Sequence, residues 1–465
     1  MDTNATARVL LVGLVALSAC GGGRGSRDVT GADDPKRHRD AAVADAATPG
    51  DAAQPLDAST SGDAAGPIAD AGSDASADDD AQVDPHDPLR DCQLASENNS
   101  LAIAAPLSAE GDFALSIGLT GFGVAYRAQT GCGRIGTLPI EALGSFPDPG
   151  LLLSDECDNL QEMALLHSAE GWRLAWVDNA AGSAELRTLA LSDQMTAASG
   201  ALITQLTQNS LREYRPVLSE FAGAVHAAWI AADLSSGKRQ IDAKNLSDQG
   251  DITTLLAADS GHKPVALAFE PMGSAGAILA FVDEQLTPGV WFMRVDKALS
   301  AASPVLVSEA VSAGGSVDIA PRDAEGGALI YSVDIGKANH EVRFRALDRD
   351  AKLVGVETKI VGGSLQGRDA SIARLGGGYV VAYRQIPSGA ITKSEIRLTF
   401  ITKQGDIMRD SVGRLVSYPV ADAGLTGGRV TVRVSTDGQL LIGFVDSDAD
   451  GVKLKLVRKR LDCAL

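Results

Sequence analysis

The chain has few of the side chains that do chemistry. Its 465 residues include six histidines, four tryptophans and five cysteines, and aromatics make up 4% of it. No Gly-x-Ser-x-Gly elbow, His-Glu-x-x-His helix motif, Gly-x-x-x-x-Gly-Lys loop or Cys-x-x-Cys pair occurs. Each of those patterns sets a nucleophile, metal or phosphate on a defined turn, so without them no residue is nominated for catalysis. The Ser-x-Asp-x-Gly-x-x-x-Trp box of sialidases and the Trp-Asp dipeptide of WD40 blades are missing as well. His38 and His86 fall in a polar N-terminal stretch, His167 and His226 in strand-like runs, and His262 and His340 in or beside turns. Neither His262 nor His340 has a paired Cys or carboxylate at a ligand spacing. There is no basic run either, and the net charge is −19. That balance argues against nucleic acid as a partner.

What is present is a period. A small or aliphatic residue precedes an aromatic near the end of an apolar run at Tyr126, Trp176, Trp229, Phe281, Tyr331, Tyr383 and Phe444. The gaps are 50, 53, 52, 50, 52 and 61 residues. Around each aromatic the pattern is the same: an apolar strand, a polar turn, a second strand carrying the aromatic, a longer turn and a third strand. Self-similarity at about 50 residues signals a repeat architecture, and four-stranded units at that spacing are propeller blades. The repeated aromatic is expected to be core, packed between neighbouring blades.

Alternation and turn signals place the strands. The innermost strands are expected at Phe113–Gly118, Glu162–Ser168, Pro216–Phe221, Pro264–Phe269, Ser316–Pro321, Ala370–Leu375 and Arg429–Ser435. The outer strand of the sixth unit is expected at 412–417. The seventh unit shows three strands and then the chain ends, while a spare apolar stretch, Leu101–Ala105, precedes the first. The expected fold is therefore an all-β, seven-bladed β-propeller over 92–465, closed by the N-terminal strand. Closure of this kind removes an exposed sheet edge.

Two segments come before it. Residues 1–19 have the form of a secretory signal, with an apolar stretch from Val9 to Leu17 that is too short to span a bilayer. Residues 20–91 form a low-complexity tether. From Asp28 to Asp91 it holds sixteen Asp, no Glu and four basic residues, so this stretch carries −12 of the net charge. A segment so poor in apolar surface cannot offset its ordering entropy, and its like charges extend it.

The sequence Leu17-Ser18-Ala19-Cys20 at the end of the apolar stretch resembles the lipobox of bacterial lipoproteins. The resemblance implies cleavage before Cys20, lipid on its sulfur and amino group, and a membrane partner reached through Cys20. Several acyl chains at about 0.8 kcal/mol per buried methylene make such an anchor effectively permanent. Gly21, where Asp would imply inner-membrane retention, implies the outer membrane. The chain as a whole looks like the tethered propeller lipoproteins of large-genome Gram-negative bacteria.

With Cys20 lipidated, four cysteines remain, and an exported setting permits disulfides. Cys92 precedes the spare strand and Cys463 follows the last one, so ring closure would set them side by side. Cys132 and Cys157 lie between the same two strands and would pair locally.

Two features are candidate sites. Asp446-Ser-Asp448-Ala-Asp450-Gly451-Val452 copies the opening of a calcium loop, with carboxylates at positions 1, 3 and 5 and a backbone carbonyl available at Val452. The pattern fails at Leu454 and Val457, and an acidic hairpin tip is the competing reading. Calcium is thus the one cofactor in question. The second feature is a set of cations just ahead of the inner strands: Arg215, Lys263, Arg368 and Arg429. Gathered round one mouth of a channel they would focus a positive potential for an anionic ligand. Ion pairing between blades, with Glu213, Glu162 or Asp369, is the alternative. The expected function is a monomeric, lipid-anchored binding or scaffold protein that uses one face for a protein or glycan partner. An exported polysaccharide hydrolase or lyase working at the channel mouth is the other class.

Overall fold

The computed structural model describes most of residues 112–462, apart from 120, 128–132, 140–150, 153–159 and shorter stretches in turns, together with the pairs 93–94 and 105–106. The signal and tether, and Cys20, Cys92, Cys132, Cys157, Cys463 and Asp450, lie outside the described residues. No helix occurs among the described residues.

The strands form antiparallel sheets in chain order, as a β-propeller requires. Six sheets consist of four consecutive strands. Their inner strands are Phe113–Ile117, Leu160–Ser168, Arg212–Phe221, Pro264–Met272, Val317–Pro321 and Leu365–Leu375. The seventh sheet is built differently. Val430–Val434, Gln439–Asp448 and Gly451–Asp462 are consecutive, and two N-terminal dipeptides then pair with the outermost of them. Self-contained four-stranded blades thus number six, not the seven of a uniform repeat; the seventh sheet is a composite of both chain ends.

The composite refines one expectation in detail. Ala105, the end of the expected Leu101–Ala105 strand, pairs with Leu454 and Pro106 with Lys453, while Gln93 and Leu94 add a second pairing with Asp462 and Leu461; residues 101–104 lie outside the described residues. Pro106 sits on an outer edge, where a missing N–H costs the ladder least. A correction concerns the sixth sheet, whose outer strand is Ser417–Ala423, not 412–417. Bridges at Ile401↔Ile407 and Arg409↔Leu415 fold the chain back before that strand begins. This excursion accounts for the 61-residue gap ahead of Phe444.

The core explains why the period exists. Among the described residues it divides into seven apolar clusters, each between two neighbouring sheets. One of them joins the first sheet (Phe113, Phe122, Tyr126) to the seventh (Leu441, Val445, Leu456). All seven periodic aromatics are buried, Trp229, Phe281, Tyr331 and Phe444 completely. An aromatic fully buried in this way is worth about 1.5–3 kcal/mol, and each serves the interface between two sheets. Close approach also fixes small residues: a Cβ on Gly123 would lie 2.5 Å from the Trp172 ring of the next sheet.

Candidate functional site

The seven inner strands surround a central cavity of about 350 Å³. Side chains alternate along a strand, so every second residue of each inner strand faces this space. Its start is ringed by polar groups that knit one sheet to the next. Asp112 accepts hydrogen bonds from the amides of Phe113 and, across the sheet boundary, Met163, both at 2.9 Å. Glu162 accepts from the Arg215 amide of the following sheet, and the Arg215 Nε lies 3.3 Å from its carboxylate. The Ser316 hydroxyl accepts from the Ala370 amide at 3.0 Å. One level deeper, Ser371 donates to Asp318 at 2.6 Å and accepts from the Val432 amide at 3.1 Å.

These clasps coincide with backbone irregularity. The register slips between Gln161 and Met163, Tyr214 and Val217, Pro264 and Ala266, and Arg368 and Ser371. A bulge of this kind bends the strand and re-aims a side chain. Two of the irregular residues, Arg215 (φ 54°) and Asp369 (φ 52°), adopt the left-handed conformation that non-glycine residues avoid.

The four sequence-nominated cations do not all meet. Arg215 and Arg429 do: both act electrostatically on Glu162, and Arg429 also feels Arg215, Asp112 and Asp318. Lys263 is held at 3.1 Å by Glu284, which also draws Arg239 at 3.5 Å. Arg368 lies beside His340 and Asp369, and its Nε has no hydrogen-bond acceptor. The arrangement is part ion pairing between sheets and part cationic cluster.

Inspection of the sequence missed Arg433, Asp318 and Glu270, which also line the cavity. The available signal was spacing, because Arg433 stands four residues after Arg429 in the expected inner strand Arg429–Ser435, an even interval that puts both on one face. Arg433 donates to the Val432 carbonyl at 2.8 Å and lies 3.9 Å from Asp318. Burial pushes the Glu270 carboxyl up to about 8, with Arg433 opposing the shift and Asp318 adding to it. Burial also raises Glu162 above the usual carboxylate range in spite of Arg215. Arg429 is lowered by burial, yet an arginine keeps its charge in any protein environment.

The aspartate-rich hairpin has a different environment. Its strands pair as Asp446↔Lys453, Ser447↔Val452 and Asp448↔Gly451. The Asp446 carboxylate is buried, accepts from the Gly424 amide at 2.7 Å and pairs with the Lys455 ammonium. Asp283 does the same work in the fourth sheet, accepting from the Lys263 amide at 2.8 Å and binding His262 Nδ1 at 2.6 Å. The His262–Asp283 contact spans 21 residues of sequence, which is why local spacing did not reveal it.

Comparison with known proteins gives a fold and no family. No family model matches the chain. No curated protein matches it either. Among solved structures it resembles a lectin from Burkholderia pseudomallei, with a TM-score of 0.52 and 13% identity, over 75% of this chain and 96% of that one. It also overlays an α-L-arabinofuranosidase from Fusarium graminearum (TM-score 0.42, 12% identity, 65% and 93% covered). A third overlay is the parainfluenza virus 5 hemagglutinin-neuraminidase ectodomain (TM-score 0.43, 8% identity, 81% and 86% covered). At such identities the likeness to the lectin shows the fold alone.

Proposed function

We propose that the chain is a lipid-anchored binding protein. Cys20 holds it to the outer membrane, the acidic tether of residues 20–91 lifts it clear, and one end of a seven-sheet ring engages a glycan or protein partner. The observation that carries the binding reading is the polar mouth of the central cavity, where Asp112, Glu162, Arg215 and Arg429 come together. A concave site with a few convergent polar groups is the default place for a ligand. The fold likeness to a lectin supports a glycan as the partner. Ring closure would be covalent: Gln93 pairs with Asp462, and Cys92 and Cys463 are the residues next to them in sequence.

The decisive experiment pairs fractionation with binding. Wild type should enter the outer-membrane fraction and Cys20→Ala should not. The signal-free, tether-free chain, screened against immobilised polysaccharides, should retain at least one of them. If Cys20→Ala still fractionates with membranes, the anchor is disproved; if the propeller retains no polysaccharide and captures no envelope protein, the binding reading is disproved.

One observation favours the second reading, a polysaccharide hydrolase or lyase. Two carboxyls near the cavity, Glu162 and Glu270, are raised above the usual range. A raised carboxyl is what a general acid needs at neutral pH. Release of reducing ends or unsaturated products from a retained polysaccharide, lost in Glu270→Gln, would establish it.

A further inference from the structure

We propose that Arg429 is the carboxylate clamp of a small acidic sugar seated in the central cavity, with Arg433 and Glu270 binding the sugar's far end. The inference rests on the glycan-binding reading and names the ligand's class.

Four observations support it. First, the Arg429 guanidinium lines the cavity and makes no hydrogen bond or ion pair with any described residue. The nearest acids are already engaged. Asp112 spends both oxygens on the amides of Phe113 and Met163, and Glu162 is bound by Arg215. Arg429 is solvent-accessible, so its donors are open to an incoming carboxylate, which would engage them bidentately.

Second, the local charge suits one negative charge. Arg215 is matched by Glu162, Arg433 stands near Asp318, and Asp369 pairs with Arg384 at 3.2 Å. Asp112 partly offsets Arg429, but its oxygens face away into backbone amides. A dianion such as phosphate would be repelled by Asp112, Glu162 and Asp318, whereas a monoanion fills the unmet donors.

Third, the space is right. A cavity of about 350 Å³ is at the small end of ligand sites and holds one or two sugar rings. Arg429 directly precedes the strand that carries Arg433, and the two are four residues apart, roughly 13 Å along an extended backbone at about 3.3 Å per residue. That is the reach of a sugar and its substituents.

Fourth, the deeper end differs chemically from the mouth. Glu270, raised to about 8, carries a proton at neutral pH and so can donate to a hydroxyl or ring oxygen. Arg433 donates alongside it. A cation at one end and mixed donors at the other describe a uronic acid better than a bare anion.

The test is calorimetric titration of the tether-free chain with sodium glucuronate, glucose, sodium sulfate and inorganic phosphate. Glucuronate should bind, and glucose and both inorganic anions should bind at least about tenfold more weakly. Arg429→Gln should weaken glucuronate by about tenfold to a hundredfold, the loss expected for charge-assisted hydrogen bonds. Arg429→Lys should recover part of it, and Arg433→Gln should lose less. Melting curves of each variant control for folding. Sulfate or phosphate binding as tightly as glucuronate would overturn the carboxylate assignment. Glucuronate binding that Arg429→Gln leaves unchanged, or no glucuronate binding, would overturn the site. Polysaccharide retention by the Arg429→Gln variant is read separately. If it persists while glucuronate does not bind wild type, the cavity site falls and the glycan-binding face stands.

Discussion

Arg384 gives the most demanding test of how the ring is held. It sits on the second strand of the sixth sheet with none of its surface exposed. Its guanidinium reaches Asp369 at 3.2 Å, Ser394 Oγ at 3.1 Å, the Gly424 carbonyl at 2.8 Å and the Val445 carbonyl at 2.8 Å. The last of these lies on the seventh sheet, so one side chain ties two sheets together. Replacing it with Met keeps the apolar stem and removes every donor. The Val445 carbonyl then loses this donor, the Asp369 carboxylate loses its guanidinium, and the Gly424 carbonyl keeps only the Ser394 hydroxyl. Breaking a buried charge pair by deleting one member costs about 3–5 kcal/mol. For roughly 350 ordered residues the unfolding entropy is about 0.7 kcal/mol per degree, so the melting temperature should fall by about 4–7 °C. Arg384→Lys should rescue little of this, because an ammonium cannot reach four acceptors arranged around a planar fork. The double variant with Asp369→Asn should be less harmed than the sum of the two singles, since the stranded charge is gone. Urea unfolding read by tryptophan fluorescence measures each term. A loss below about 1 kcal/mol in Arg384→Met would refute the claim that this residue fastens the sixth sheet to the seventh.

The other predictions follow the same logic. Glu213 is fully buried and its carboxyl is pushed up to about 8, mainly by burial, so the folded chain binds its proton more tightly than the unfolded chain does. Stability should therefore decline as pH rises from about 4.5 to about 8, and Glu213→Gln should flatten that decline in unfolding curves at pH 5, 6.5 and 8. Ser371→Ala removes a donor to Asp318 and the acceptor of a buried amide, and should cost about 1–3 kcal/mol by chemical denaturation. A Cys92–Cys463 bond would close a loop of about 370 residues and add at most about 6 kcal/mol in the chain-entropy model. Mass spectrometry of the non-reduced protein should find that crosslink, and Cys92→Ser should melt earlier. Because Lys455 already neutralises Asp446, Lys455→Met should destabilise the hairpin, and adding calcium to the wild type should leave its melting temperature unchanged.

The fold was readable because its cause is repetitive. Each sheet must bury a large aromatic against its neighbour, so Trp176, Trp229, Phe281 and Tyr331 return at a constant interval. Inner strands were legible for the same reason, as runs of alternating apolar residues. Their first residues were not, because bulges at 161–163 and 368–371 break the alternation where the sheets are clasped together. The outer strands were placed least well. Ser417–Ala423 is half exposed and Thr204–Gln205 exposed, and both carry little apolar pattern. The site was half legible. Arg215 and Arg429 could be nominated by position, but Lys263 finds Glu284, a partner 21 residues away that no local spacing reveals. Arg433, Asp318 and Glu270 each look like an ordinary solvated charge until the strands are wrapped round a common axis.

The composite seventh sheet also sets the order in which the molecule can be completed. Among the described residues, the face of the first sheet that carries Phe113 and Phe122 is covered by residues near Leu441 and Leu456. A growing chain therefore carries a naked greasy wall until almost its final segment arrives. Anything that trims the C-terminus leaves that wall bare and the disc unlocked, a state fit for proteolysis or for sticking to a second copy.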